Sequence, residues 1–116
     1  MSEAEHAELL RLRSVFIRDV AAAAAAYDAL LMPTTAETAP TIAEVIKDDE
    51  SYLRFNGRML RNPSLVNLFD GCALSVPCHE HGSAPVGLMI AGVSNSDRTI
   101  LSMGRAIEAV VSPRAH

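Results

Sequence analysis

The first quarter of the chain carries apolar residues at helical spacing. From position 3 to position 27 they recur every three or four residues, which is the spacing of one helix face. The run 21–26 is all alanine, which favours helix and lets a neighbouring element approach closely. The pattern predicts an amphipathic helix whose inward stripe is Leu9, Leu12, Phe16, Val20, Ala23 and Tyr27.

Three short apolar runs, at 28–32, 73–76 and 86–91, predict β-strands. None of them alternates strictly, which is typical of strands covered on both faces of a sheet. Residues 33–41 are rich in Thr and Pro and predict an extended loop, because proline withholds a backbone donor and disfavours helix before it. The segment 77–85 has the composition of a turn, so the second and third strands predict a hairpin.

A helical turn and two helices are expected between the first two strands. Residues 41–45 predict a helical turn, 47–51 a charged surface stretch and 52–60 a helix. Asn62 is expected to cap a second short helix that tolerates Pro63 in its first turn. That helix is predicted to end at Gly71 and to turn Val66 and Phe69 inward.

A last helix is predicted after Gly92. Ser94 and Ser96 offer N-cap hydroxyls, and Asp97 suits the positive end of the helix dipole. The chain is expected to close with a short tail from Pro113. The inward stripe of this helix is Ile100, Met103, Gly104, Ile107 and Val111.

Composition and charge narrow the class of protein. The 116 residues are 49% apolar and 21% charged, which is typical of one folded domain. The net charge of −4 comes without a basic cluster, which argues against nucleic acid as a partner. The apolar stretch 20–32 is too short to span a bilayer, no signal peptide pattern is present, and a cytoplasmic location is expected. Cys72 and Cys78 are then expected to be reduced thiols.

Three stretches in order resemble the C-terminal part of the amidase-signature family. They are YDALLMPTT at 27–35, ALSVPC at 73–78 and APVGLMIAG at 84–92. Asn67 ahead of Gly71, and Asp97 leading into a helix, fit the same pattern, so the resemblance covers residues 10–110. It implies an α/β fold with a mixed sheet, to which this chain contributes about three strands flanked by helices. Residues 1–116 are thus expected to form a single partial domain.

The resemblance also implies a chemistry that this chain does not carry alone. The family hydrolyses carbon–nitrogen amide bonds with a Lys, a cis-Ser and a nucleophilic Ser in a Gly/Ser-rich stretch far upstream of the matched segment. Here the one lysine, Lys47, precedes three acidic residues that favour its charged form, which makes it a poor base. Gly82 and Ser83 lie in the predicted turn without an oxyanion loop. The chain alone is therefore predicted to be inactive, with no cofactor.

The partner follows from the incomplete sheet. An open sheet edge pairs readily with another chain, so we expect the missing N-terminal amidase segment or a second copy of this chain. A small-molecule amide is expected as substrate only in a complete enzyme. The alternative is a non-catalytic, self-associating protein that retains the amidase half-fold.

Four residues are candidates for the substrate pocket: Asn67, Ser75, Cys78 and His79. A catalytic Cys78–His79 pair is disfavoured, because adjacent side chains of an extended segment point to opposite faces. His79 and His81, with Cys78 or Glu80, are weak metal candidates; without a second ligand pair, histidines of a turn are favoured. For Asn62, Asn67 and Asp70, helix caps and exposed positions are favoured over a functional role, in which Asn67 would shape the pocket floor.

Overall fold

Three strands and four helices form the part of the chain that the computed structural model describes, residues 1–111. The tail predicted from Pro113 lies outside the described residues. In chain order the elements are α1 Glu3–Ala24, β1 Leu30–Pro33, α2 Ile42–Val45, α3 Asp49–Leu68, β2 Cys72–Pro77, β3 Gly87–Gly92 and α4 Asp97–Val111.

The strands form one sheet in the order β1-β3-β2, and both pairings are antiparallel. The three predicted strands and the hairpin between β2 and β3 are confirmed, as is the α/β class with helices flanking the sheet. The central strand is β3, so β1 and β2 are both edge strands. Ile90 pairs with Leu31 on one side and Leu74 on the other, which places these three side chains on one face of the sheet.

Each face of the sheet carries its own apolar cluster. On one face α4 packs against β2 and β3, where Val76, Ile90 and Ile100 are buried. Met103, Ile107 and Val111 pack against that cluster, which confirms the predicted inward stripe of the last helix. On the other face, Met89 and Ala91 of β3 form a buried cluster with Val66 of α3 and the following Phe69, and Phe16 and Val20 of α1 pack against it. The inward prediction for Val66 and Phe69 is confirmed.

The helices leave one face of each edge strand open. On β1, Leu30 and Met32 pack against the α1–α3 cluster, whereas Leu31 on the opposite face is 57% exposed. On β2 the arrangement is reversed: Val76 is buried beneath α4, whereas Ala73 and its neighbours on the other face are exposed. Covering on both faces, which the apolar runs predicted, is found in this chain for β3 and is not found for β1 or β2.

The prediction of two helices separated at Asn62 is wrong, because α3 is one helix with Pro63 inside it. An interior proline costs about 3 kcal/mol. Burying Val66 and Phe69 in the following turn contributes roughly 1.5–3 kcal/mol each, which offsets that cost. The helix instead begins after Asp48, whose side chain caps the Ser51 N–H at 2.7 Å, so most of the charged stretch 47–51 is helical.

The first helix is shorter and less buried than predicted. Ser2 and Glu5 form a capping box at its start, but the helix ends at Ala24, and Tyr27 is 70% exposed in the following turn. Phe16 and Val20 reach the core cluster. The earlier members of the stripe do not, because no described element lies beneath them: Leu9 is 54% and Leu12 49% exposed.

The molecule is flatter and more extended than a compact domain of its length. Its radius of gyration is 17.3 Å, whereas about 13 Å is typical for this number of residues. Its extents are 57 × 42 × 17 Å. The accessible surface of 8593 Å² exceeds by about 2,500 Å² the area expected for a folded monomer of this mass.

We expect the start of α3 to lose stability in acid. Hydrogen bonds from Ser51 hold the pKa of Asp48 below its ordinary value of about 3.9. A lowered folded-state pKa contributes stability that is full above the unfolded pKa and is lost as the pH falls through the folded one. In urea unfolding followed by circular dichroism, the free energy of unfolding of the wild type should exceed that of Asp48→Asn at pH 7. At pH 2 the two free energies should be equal. An equal difference at both pH values would contradict this.

Candidate functional site

Two hydroxyl side chains, Thr34 after β1 and Ser75 on the open face of β2, meet across the central strand. We call this pair the polar rung. Thr34 directly follows β1, and its N–H donates to the Gly87 carbonyl at 2.8 Å, so it continues the strand pairing by one residue. Its Oγ1 lies 2.5 Å from the Oγ of Ser75 on β2. A Cβ on Gly87 would overlap Ser75 Oγ and lie 2.8 Å from Thr34 Oγ1. Glycine on the central strand is therefore what allows the two hydroxyls to meet.

The rung forms the floor of a shallow hollow of about 270 Å³. The His79 ring lies at its side, with Nδ1 3.4 Å from the Val86 carbonyl oxygen. Apart from that imidazole, no acidic or basic side chain of residues 1–111 lines it. The hollow can therefore bind a neutral polar group by hydrogen bonds. Its lining is Thr34, Thr35, Ser75, Pro77, His79, Pro85, Val86 and Gly87.

Asn62 holds the end of β1 in place. Its Nδ2 donates to the Pro33 carbonyl at 2.7 Å, one residue before Thr34. The sequence prediction treated Asn62 as a helix cap and missed this contact. A signal was present, because asparagine in a helix interior is unfavourable unless its side chain finds a partner.

An ion pair and a hydrogen bond to Glu37 fix the loop after β1. Arg58 on α3 donates from Nη1 to Glu37 Oε2 at 2.5 Å, and Thr35 Oγ1 donates to the Glu37 carbonyl at 2.8 Å. Glu37 Oε1 is buried and has no hydrogen-bond donor among the described residues. Glu37 also lines a neighbouring hollow of about 190 Å³ that shares Thr35 and Gly87 with the first. The sequence contained no periodicity that would have singled out this ion pair.

The structure brings two of the four predicted pocket residues together. Ser75 and His79 both line the 270 Å³ hollow. Cys78 is exposed beside it, with Sγ 3.7 Å from the Val86 carbonyl, and the hydrogen bonds found for Cys78 and His79 both go to that carbonyl. Asn67 is exposed in the last turn of α3, where its carbonyl accepts from Arg13. Asn67 does not line the hollow.

The remaining candidates are dispersed. Within residues 1–111, no three His, Cys, Asp or Glu side chains gather closely enough to hold a metal ion, and His81 is exposed in the β2–β3 loop. Lys47 is exposed in the turn before α3. Cys72 is partly buried and Cys78 is exposed, and the two are not joined by a disulfide. No helix in the described part of the chain is long and apolar enough to cross a membrane.

Comparison with known proteins decides the family. The family model described as Amidase matches residues 2–101. The chain belongs to the amidase family. This confirms the resemblance inferred from the three motifs, which also lie in order along the strands and their flanks. No solved structure gives a significant match.

Its relatives are much longer amidase-family proteins. The 2-amino-5-chloromuconic acid deaminase of Comamonas testosteroni is 33% identical over 108 residues, covering 90% of this chain and 23% of the deaminase. A glutamyl-tRNA(Gln) amidotransferase subunit from Symbiobacterium thermophilum is 36% identical, covering 86% and 20%. The fatty acid amide hydrolase of Arabidopsis thaliana is 31% identical, covering 70% and 14%. The chain thus spans about a fifth of the length of these relatives or less.

Proposed function

We propose that this chain supplies the C-terminal part of an enzyme that hydrolyses carbon–nitrogen amide bonds. The catalytic Ser, cis-Ser and Lys of the amidase family would come from a further segment, and this chain alone would be inactive. One observation carries the proposal: a chain of the amidase family exposes about 2,500 Å² more surface than a compact monomer of its mass. That excess is surface that a complete amidase would bury.

The proposed partner is the remaining amidase segment. Obligate interfaces bury roughly 2,000–5,000 Å² over both partners together, so a partner that buries an equal area of its own would bring the total to about 5,000 Å², the upper end of that range. The two open strand faces are the natural contact surfaces, one at Leu31 on β1 and one at Ala73 and Ser75 on β2. A segment docked on the open face of β2 would cover the hollow lined by Thr34, Ser75 and His79. That enclosure would turn a shallow depression into the wall of a substrate pocket.

The proposed substrate is a small molecule bearing an amide, and the proposed compartment is the cytoplasm. The hollow offers hydroxyls and an imidazole to a neutral polar group, which is the chemistry of an amide. Two unpaired cysteines are compatible with a reducing compartment. Asn67 and Cys78 stay predictions as pocket residues, since only a complete enzyme would show whether either reaches the substrate.

A complementation assay tests the proposal. The purified chain should neither turn over small primary amides nor react with a serine-directed phosphonate. Coexpression with a lysine- and serine-bearing amidase segment should give a stable complex and amide hydrolysis, since only that segment supplies a nucleophile. Turnover or labelling by the chain alone would refute the proposal that the catalytic residues come from a further segment. A complex that forms without activity would also refute it.

A second candidate function is self-association without catalysis. It is favoured by the two edge strands, because β1 and β2 each pair on one side only within residues 1–111. Unpaired edges are sites where a second copy can add its own strand. Light scattering separates the two candidates: a stable symmetric dimer that persists when the amidase segment is added favours self-association, and a monomer that is captured by the segment favours the enzyme.

A further inference from the structure

We propose that the Thr34–Ser75 hydroxyl pair and the His79 imidazole together bind a carboxamide group, as the amide-recognition site of the hollow. This deepens the proposed function and rests on it for the identity of the natural molecule. The site itself is defined by contacts within this chain, so it can be tested without catalysis.

The hydroxyl pair has one donor left for a ligand. Thr34 Oγ1 and Ser75 Oγ are 2.5 Å apart, so one hydroxyl donates to the other. The accepting hydroxyl keeps its own O–H for a third group, because each hydroxyl carries one donor and two acceptor lone pairs. A carbonyl oxygen above the rung would accept that proton.

The imidazole supplies the complementary acceptor. The Val86 carbonyl can only accept, so the contact with His79 Nδ1 at 3.4 Å requires the proton on Nδ1. Nε2 of the neutral ring then keeps its lone pair, which can accept an amide N–H. Among the groups that line the hollow, one free donor and one free acceptor match a carboxamide, which offers a carbonyl oxygen and an NH₂ group.

The same arrangement disfavours a carboxylate of equal size. A carboxylate has acceptors only, so one of its oxygens would face the Nε2 lone pair. No lysine or arginine in the described part of the chain lines the hollow to compensate its charge. We therefore expect acetamide to bind about tenfold more tightly than acetate, the ratio that one neutral hydrogen bond lost or gained typically gives.

Titration of the ¹⁵N-labelled chain with acetamide and with acetate tests the site. We expect saturable shifts of the Gly87, Ser75 and Thr34 amide signals with acetamide, and about tenfold weaker binding of acetate. If the chain alone gives a collapsed spectrum, the same titration is made on the labelled chain in complex with the remaining amidase segment. Shifts that do not saturate, or an equal response to acetate, would overturn the proposal.

Variants tie the response to the hydroxyl pair. Gly87→Ala should abolish the saturable shifts, because its methyl would occupy the space where the hydroxyls meet. Gly57→Ala is the matched control, since nothing lies within 4 Å of a Cβ there. If Gly87→Ala fails to fold, Thr34→Val removes one hydroxyl at constant shape and should weaken acetamide binding about three- to tenfold. Undiminished binding by Thr34→Val would overturn the assignment.

The two proposals fail separately. Acetamide shifts with no hydrolysis by the assembled enzyme would refute the proposed function and leave the site standing. Hydrolysis by the assembled enzyme with no acetamide response at Gly87 would refute the site and leave the enzyme standing.

Discussion

Replacing Ile90 by alanine should lower the free energy of unfolding by about 2–5 kcal/mol, the cost of emptying a buried aliphatic site. Ile90 is 0% exposed at the centre of β3, and it belongs to the cluster with Val76 and Ile100 beneath α4. Because few other side chains are fully buried, few neighbours can move to fill the cavity that alanine would leave. For a small domain this loss is a large fraction of the total stability.

Leu31→Ala is the matched control. Leu31 pairs directly with Ile90 in the sheet and lies on the same face, but it is 57% exposed because α4 packs on β2 and β3. In the chain alone, we expect it to change the free energy of unfolding by less than about 1 kcal/mol. Urea unfolding followed by circular dichroism measures both variants. Equal losses for Ile90→Ala and Leu31→Ala would contradict the burial described for this face.

Leu31 also reports on assembly. If the remaining amidase segment covers the open face of β1, Leu31→Ala should weaken the complex while leaving the chain folded, because the lost apolar contact then lies in the interface. Calorimetric titration of the segment into each folded variant measures this. An unchanged affinity would place the interface elsewhere on the chain.

Gly104→Val should be the second most damaging substitution. Gly104 lies in α4 directly over β2, and a Cβ there would overlap the end of the Leu74 side chain and lie 3.3 Å from its Cγ. The branched side chain of valine would have to push α4 off the sheet or force Leu74 and Ile90 to repack. Overpacking of this kind typically costs 1–3 kcal/mol.

Gly57→Val isolates the packing term. Both glycines lie inside helices, so the change in helix propensity is the same, but nothing lies within 4 Å of a Cβ on Gly57. We expect Gly57→Val to leave the urea midpoint unchanged or slightly raised, since glycine is the poorer helix former. A similar loss at both positions would contradict the role of Leu74, because contact with that side chain is present only at Gly104 and helix propensity predicts no loss at either glycine.

The complementation assay and the stability variants address different levels of the proposal. Ile90 and Gly104 hold α4 on the sheet and support the fold of the segment itself. Leu31 and the Thr34–Ser75 rung lie on faces that the described chain leaves open, and their effects should emerge only when a partner or ligand is present. A variant series with both kinds of residue therefore separates folding from assembly.

The sequence by itself determined the elements whose signals are local. The three strands, the hairpin and the α4 stripe at Ile100 and Gly104 follow from spacing within short windows, and the motif order led to the amidase family. Sequence neighbours record such periodicity, because a helix face or a strand face repeats within a few residues. Ser75 and His79 were also predicted this way, from a motif and from the turn beside it, and both line the hollow.

Only the tertiary structure decided what depends on distant neighbours. Thr34 and Ser75 are 41 positions apart, and they meet because the strand order β1-β3-β2 places Gly87 between them. The helix α3 continues through Pro63 because burial of Val66 and Phe69 together offsets the cost of the proline, and this burial depends on residues distant in sequence. The exposure of Leu9 and Leu31 likewise depends on which faces other elements cover. Packing free energy is shared between remote residues, so these outcomes required the assembled sheet.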